Sequence, residues 1–149
     1  MLWYRYRWLI ERYHFVLKSG CQLEDLQLET AERLERARAS YCVVAWRLLW
    51  LTYLARKTPD LSCESALQTH EWHALYAFTH QTNTLPATPP SLHEAMRWVA
   101  KLGGFLARSS DGEPGVQTIW RGLRRLDDLA SMWLLLHPFT SEAPPLSYG

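Results

Sequence analysis

Between Thr30 and Lys57 apolar residues return every three or four positions: Leu34, Ala37, Tyr41, Val44, Leu48, Leu51 and Ala55. At about 100° per residue this spacing gathers them into one stripe along a single long helix. A strand cannot produce it, because strand side chains alternate faces with period two. A stripe of that length must be covered by other elements, and the rest of the chain offers helices to do so. A first helix is expected from Trp3 to Lys18, stopped by Ser19-Gly20. Thr30 caps the second, which ends before Thr58-Pro59, and a third runs from Thr69 to His80. Ser91-Leu92-His93-Glu94 is a capping box that opens a fourth helix, halted at Gly103-Gly104. A fifth spans Val116 to Leu136, with Ile119, Trp120, Leu123, Leu126, Leu129 and Trp133 as its apolar pattern. The expected fold class is therefore all-α with about five helices. The one period-two possibility is a short strand at Cys21–Leu28, and the Pro-containing tail beyond His137 reads as frayed.

Bulk properties narrow the function classes. The net charge of +1 excludes a chain that binds polyanions by its overall field, so any nucleic-acid contact has to be local. Three cysteines without a CxxC pair suggest neither a disulfide framework nor a zinc knuckle, and they fit a reducing cytoplasm. The N-terminus is too charged for a signal peptide. The most apolar run, Tyr41 to Ala55, is interrupted by Arg47 and is shorter than a spanning helix, so a buried helix and no membrane association are expected. Eight Trp point to cores and interfaces. Trp46 and Trp50 read as core or interface residues, not a base-stacking platform, since no basic residues alternate with them. His70, His73 and His80 near one face of the third helix are read as surface or partly buried histidines, not a zinc site. Arg121, Arg124 and Arg125 are nearly cancelled by Asp127 and Asp128 and read as a solvated face.

The first helix holds the one constellation with chemistry in it. Tyr4, Arg7, Glu11 and Lys18 fall within an arc of roughly 60°, while Trp3, Tyr6, Ile10, Tyr13 and Leu17 form a separate face suited to packing inward. A carboxylate flanked by cations and a phenol suits phosphodiester chemistry: the carboxylate can hold a divalent metal and the others can grip phosphates. The same residues also describe a solvated helix face with an i,i+4 ion pair between Arg7 and Glu11.

The order Tyr4-x-x-Arg7-x-x-x-Glu11 followed by Lys18 resembles the Y-R-E-K signature of bacterial insertion-sequence transposases of the DDE class, in particular the IS-four family typified by the Tn-five transposase. Three later segments resemble the same family in order: Leu34-Glu35-Arg36 with Val43 to Leu49, then Ala100-Lys101-Leu102-Gly103-Gly104-Phe105, then Thr118-Ile119-Trp120-Arg121-Gly122-Leu123. The resemblance covers roughly residues 3 to 136. It implies a cut-and-paste DNA transposase, in which three acidic residues on a ribonuclease-H-like fold bind two Mg²⁺ (or Mn²⁺) ions. Glu11 would be the third of them, and Tyr4, Arg7 and Lys18 would contact the backbone of transposon-end DNA. Residues 1–20 would be the last helix of that catalytic fold, 21–137 a helical dimerisation domain and 138–149 a flexible tail. Trp120, Leu123 and Trp133 become candidates for the dimer interface.

The family's first two catalytic Asp residues lie far upstream of the signature. No Asp here matches them by motif, and Phe15 stands where some members carry a further Lys. The expectation is a catalytically incomplete region that is no enzyme and holds no metal alone, binds DNA weakly or not at all, and pairs with itself or with full-length transposase. Two other roles stay open: a stand-alone inhibitor forming inactive mixed dimers, and a decayed helical interaction module. If the catalytic core is absent, the Ile10, Tyr13 and Leu17 face has lost its natural partner.

Overall fold

A computed structural model describes residues 2–20, 30–108 and 111–138. The possible strand at Cys21–Leu28 and the tail from residue 139 onward lie outside them. The described residues form five α-helices: α1 (Leu2–Phe15), α2 (Ala31–Lys57), α3 (Thr69–His80), α4 (Leu92–Leu102) and α5 (Val116–Leu136). Among them the only extended pairing is an isolated bridge between Ser62 and Ser91. The fold class is all-α, and the helix limits follow local chemistry. Thr30 Oγ1 accepts the Arg33 amide at 3.4 Å and starts α2. Ser91 and Glu94 close the capping box of α4, the Glu94 amide donating to Ser91 Oγ at 3.3 Å and the Ser91 amide to Glu94 Oε2 at 3.2 Å.

The core lies between α2, α3, α4 and α5. Leu48, Leu51, Leu75, Leu92, Val99 and Leu126 are all but inaccessible there. The Cys63 amide donates to the Pro90 carbonyl at 3.0 Å and the Leu92 amide to the Leu61 carbonyl at 2.6 Å, so the segment after α2 is sewn to the start of α4. At the other end of α4 the Arg125 guanidinium donates to the Leu102 carbonyl, satisfying a helix-end acceptor. α4 and α5 cross where their backbones nearly touch: a Cβ on Gly103 would lie 1.8 Å from the Thr118 carbonyl oxygen, and one on Gly122 would lie 1.9 Å from that of Val99.

The first helix departs from expectation in two ways. It does not run as a regular α-helix to Lys18: it ends at Phe15 and continues as a wider π turn, Val16–Gly20. That turn brings Val16 and Leu17 into the core. Ile10, expected to pack inward with Tyr13 and Leu17, is 57% exposed; Tyr13 does dock, its Oη donating to the Cys42 carbonyl at 3.1 Å. The stripe on α2 is likewise anchored at one end: Leu48, Leu51 and Ala55 are buried, whereas Leu34 is exposed. Among the described residues no helix is long and apolar enough to cross a membrane.

Candidate functional site

On α1, Arg7 Nε donates to Glu11 Oε1 at 3.0 Å, and both side chains are well exposed. The two are brought together as their spacing predicts. Lys18 is exposed and sits beyond the point where the helix widens, so it leaves the straight helical register that Tyr4, Arg7 and Glu11 share. Tyr4 lies in the first turns of α1, and its side chain is outside the described ones. Half-buried Arg12 lies over the Phe15 ring at 5.6 Å. A divalent-metal site needs several converging oxygen ligands. Among the described residues no group of three or more His, Cys, Asp or Glu side chains could hold a metal ion. Glu11 is engaged with Arg7.

The three residues considered for pairing on α5 are partly covered by their own fold. Trp120 and Leu123 pack against the core and line a cleft of about 250 Å³ together with Val44, Arg47, Glu71 and Arg124. Trp133 belongs to an aromatic cluster. Its ring stacks on His137 at 3.9 Å and meets His73 edge-on at 6.3 Å, while His73 in turn lies 4.1 Å from Trp72. Trp72 Nε1 donates to Glu64 Oε1 at 3.2 Å, which satisfies the indole. Burial in this cluster lowers the His73 pKa, partly opposed by the Glu64 carboxylate. His80 packs between Tyr76 (4.3 Å) and Trp98 (5.0 Å). His73 and His80 thus meet aromatic rings, His80 from an exposed position, His70 is half-buried, and Arg121 and Arg124 are exposed.

The apolar side chains left open are elsewhere. On α2 they are Val43 (67% exposed), Trp46 (60%), Tyr53 (50%), Leu34 (45%) and Trp50 (39%), and on α1 Trp8, Leu9, Ile10 and Phe15 are exposed too. At the end of α5, Met132, Leu135 and Leu136 are exposed as well. Sequence reasoning assigned Trp46 and Trp50 to core or interface without deciding between them. The sequence does carry a second apolar stripe in the same helix, spaced Val43, Trp46, Trp50, Tyr53, but the spacing does not say which stripe is covered.

Large apolar side chains left in solvent on a helical body are a mark of surfaces that associate. The family model of the transposase Tn5 dimerisation domain matches residues 43–132, more than half of the chain. The chain belongs to that family. The match begins midway along α2 and ends within α5, so it takes in the helices that build the core.

Proposed function

We propose that this chain is the dimerisation and synapsis region of a cut-and-paste DNA transposase and is catalytically silent without further acidic residues. The observation that carries the reading is the coincidence of the dimerisation-domain match, residues 43–132, with a helical body that leaves Val43, Trp46 and Tyr53 at least half exposed. Residues 1–20 would close the catalytic unit, with Glu11 as its third metal ligand once two Asp residues join it, and residues 21–137 would hold two transposase molecules together. In the assembled enzyme the ions, Mg²⁺ or Mn²⁺, would activate water and stabilise the departing oxygen of the phosphodiester. The exposed Arg7 and Lys18, with Tyr4, would then rest on the DNA backbone. The residues of this chain that act alone are those that bring partners together.

The test is incubation of the purified chain with transposon-end DNA and Mg²⁺, alongside co-purification with the full-length transposase of the same element. No strand cleavage and a stable mixed complex are expected. Nicking or joining by the chain alone would overturn the claim of catalytic silence, and failure to co-purify would overturn the synaptic role.

A further inference from the structure

α1 has two faces that lie nearly back to back. Tyr13 belongs to the docked one: its ring packs half-buried against the core, and its hydroxyl donates to the Cys42 carbonyl of α2 at 3.1 Å. Val16 and Leu17, in the π turn that follows, are buried in the core on the same side. Arg7 and Glu11 lie roughly 120° and 160° around the helix from Tyr13. Their ion pair is accordingly well exposed. The helical body therefore holds α1 from behind and presents the Arg7–Glu11 face outward. Apolar packing at Val16 and Leu17 fixes where the end of α1 sits, but it is non-directional. A hydrogen bond has a preferred line, and the one from Tyr13 favours a single rotation of the helix about its own axis. We propose that Tyr13 is a positioning residue: its bond to Cys42 sets the rotation of α1 on the body and so the direction in which the Arg7–Glu11 face is presented. This rests on the reading in which that face serves an intact transposase, and it names the contact through which the pairing body would aim it.

Two features suit the contact to that role. The first is leverage. The Glu11 side chain reaches roughly 5–6 Å from the helix axis, so a rotation of about 20° carries its carboxylate about 2 Å. A displacement of about 1 Å is enough to slow a catalytic step about a hundredfold. The second is placement. Cys42 immediately precedes residue 43, where the dimerisation-domain match begins, and α2 continues from there into the core through buried Ala45, Leu48 and Leu51. A shift of α2 is thus passed to α1 through a carbonyl of the body's own helix. The wider π turn interrupts the regular helical register after Phe15, so the seating of Val16 and Leu17 does not dictate the rotation of α1 by itself.

Pulsed electron–electron resonance on the purified chain tests this. Nitroxides are attached to p-acetylphenylalanine placed at Ile10 on α1 and at Asp128 on α5, both exposed, so the native cysteines stay in place. Dilution with unlabelled chain restricts the reading to distances within one molecule. Tyr13→Phe removes the hydroxyl and keeps the ring, and circular dichroism confirms that the helices remain. The expected result is one narrow distance in the wild type and a broadened or displaced distribution in Tyr13→Phe. In an intact transposase carrying this region, the same substitution lowers kcat for strand cleavage about tenfold or more, with KM for transposon-end DNA and self-association unchanged. A merely structural loss would instead weaken self-association and stability together. A distance distribution untouched by Tyr13→Phe overturns the proposal. A changed distribution with unchanged kcat overturns the positioning role and leaves the proposed function in place. If Glu11→Gln leaves cleavage by the intact enzyme untouched, the reading of the Arg7–Glu11 face falls, and the role of Tyr13 with it.

Discussion

Gly122 is the residue on which the packing of this molecule turns most sharply. Glycine inside a helix costs about 1 kcal/mol relative to alanine, so on propensity alone Gly122→Ala should stabilise α5. The Val99 carbonyl 1.9 Å from the would-be Cβ reverses the sign, because the atom in the way is backbone and α4 must move to release it. The expected outcome is a net loss of about 2–3 kcal/mol, read as a lowered urea midpoint with the helical signal retained before the transition. Gly103→Ala meets the Thr118 carbonyl in the same way. Cys63 makes a second residue-scale case. Its thiol is fully buried, and desolvation, followed by the charge of Glu64, raises its pKa from 9.0 to about 11. The unfolded chain therefore releases this proton at lower pH than the folded one. Stability is unaffected below pH 9 and falls as the pH rises from 9 towards 11. Denaturant titrations across that range should show a steeper loss for the wild type than for Cys63→Ala, after allowance for the constant cost of the lost sulfur.

At the scale of the element, α4 shows how local chemistry decides a boundary. Ser91 and Glu94 satisfy each other's amides, and the preceding Pro90 and Leu61 carbonyls receive the Cys63 and Leu92 amides, so the first turn of α4 is held both along the chain and across it. Ser91→Ala should cost about 1 kcal/mol, measurable as a drop of about 3 °C in thermal midpoint for a domain of this size. Such signals are why the helix limits could be read from residues: Thr30, the Ser91–Glu94 box and Gly103 act within a few positions of themselves. Faces were harder to read. α2 carries the apolar set of Leu48 and Leu51 on one side and that of Val43 and Trp46 on the other, and periodicity identifies both sets without saying which one the body covers. The choice is made by where α4 and α5 sit, which is information the helix does not contain. The same holds for Ile10, which is exposed while Tyr13 and the following π turn, through Val16 and Leu17, dock on the body. Of the site, the Arg7–Glu11 pair was legible from its spacing. The half-burial of Trp120, Leu123 and Trp133 was not, since each is covered by helices distant in sequence.

Taken whole, the molecule divides its apolar surface between a core sealed within one chain and a rim left in water. Leu75, Val99 and Leu126 are sealed within one chain. Trp46, Tyr53 and Leu135, each at least half exposed, gain nothing from folding that a second molecule could not increase. This separation makes stability and association distinguishable in one experiment. If association buries the rim, the folded dimer and the unfolded monomers differ in number of particles, and mass action stabilises the folded form as concentration rises. A tenfold increase in protein contributes about 1.4 kcal/mol per dimer, which against the unfolding entropy of two such chains shifts the thermal midpoint upward by about 2 °C. Scanning calorimetry over a hundredfold range of concentration should therefore show a rise of about 4 °C in the wild type. A variant that loses pairing but keeps its fold should show a flat midpoint, already lower at the highest concentration. A wild-type midpoint independent of concentration would mean that the rim stays in water even when copies are abundant, and the association role drawn from it would fall.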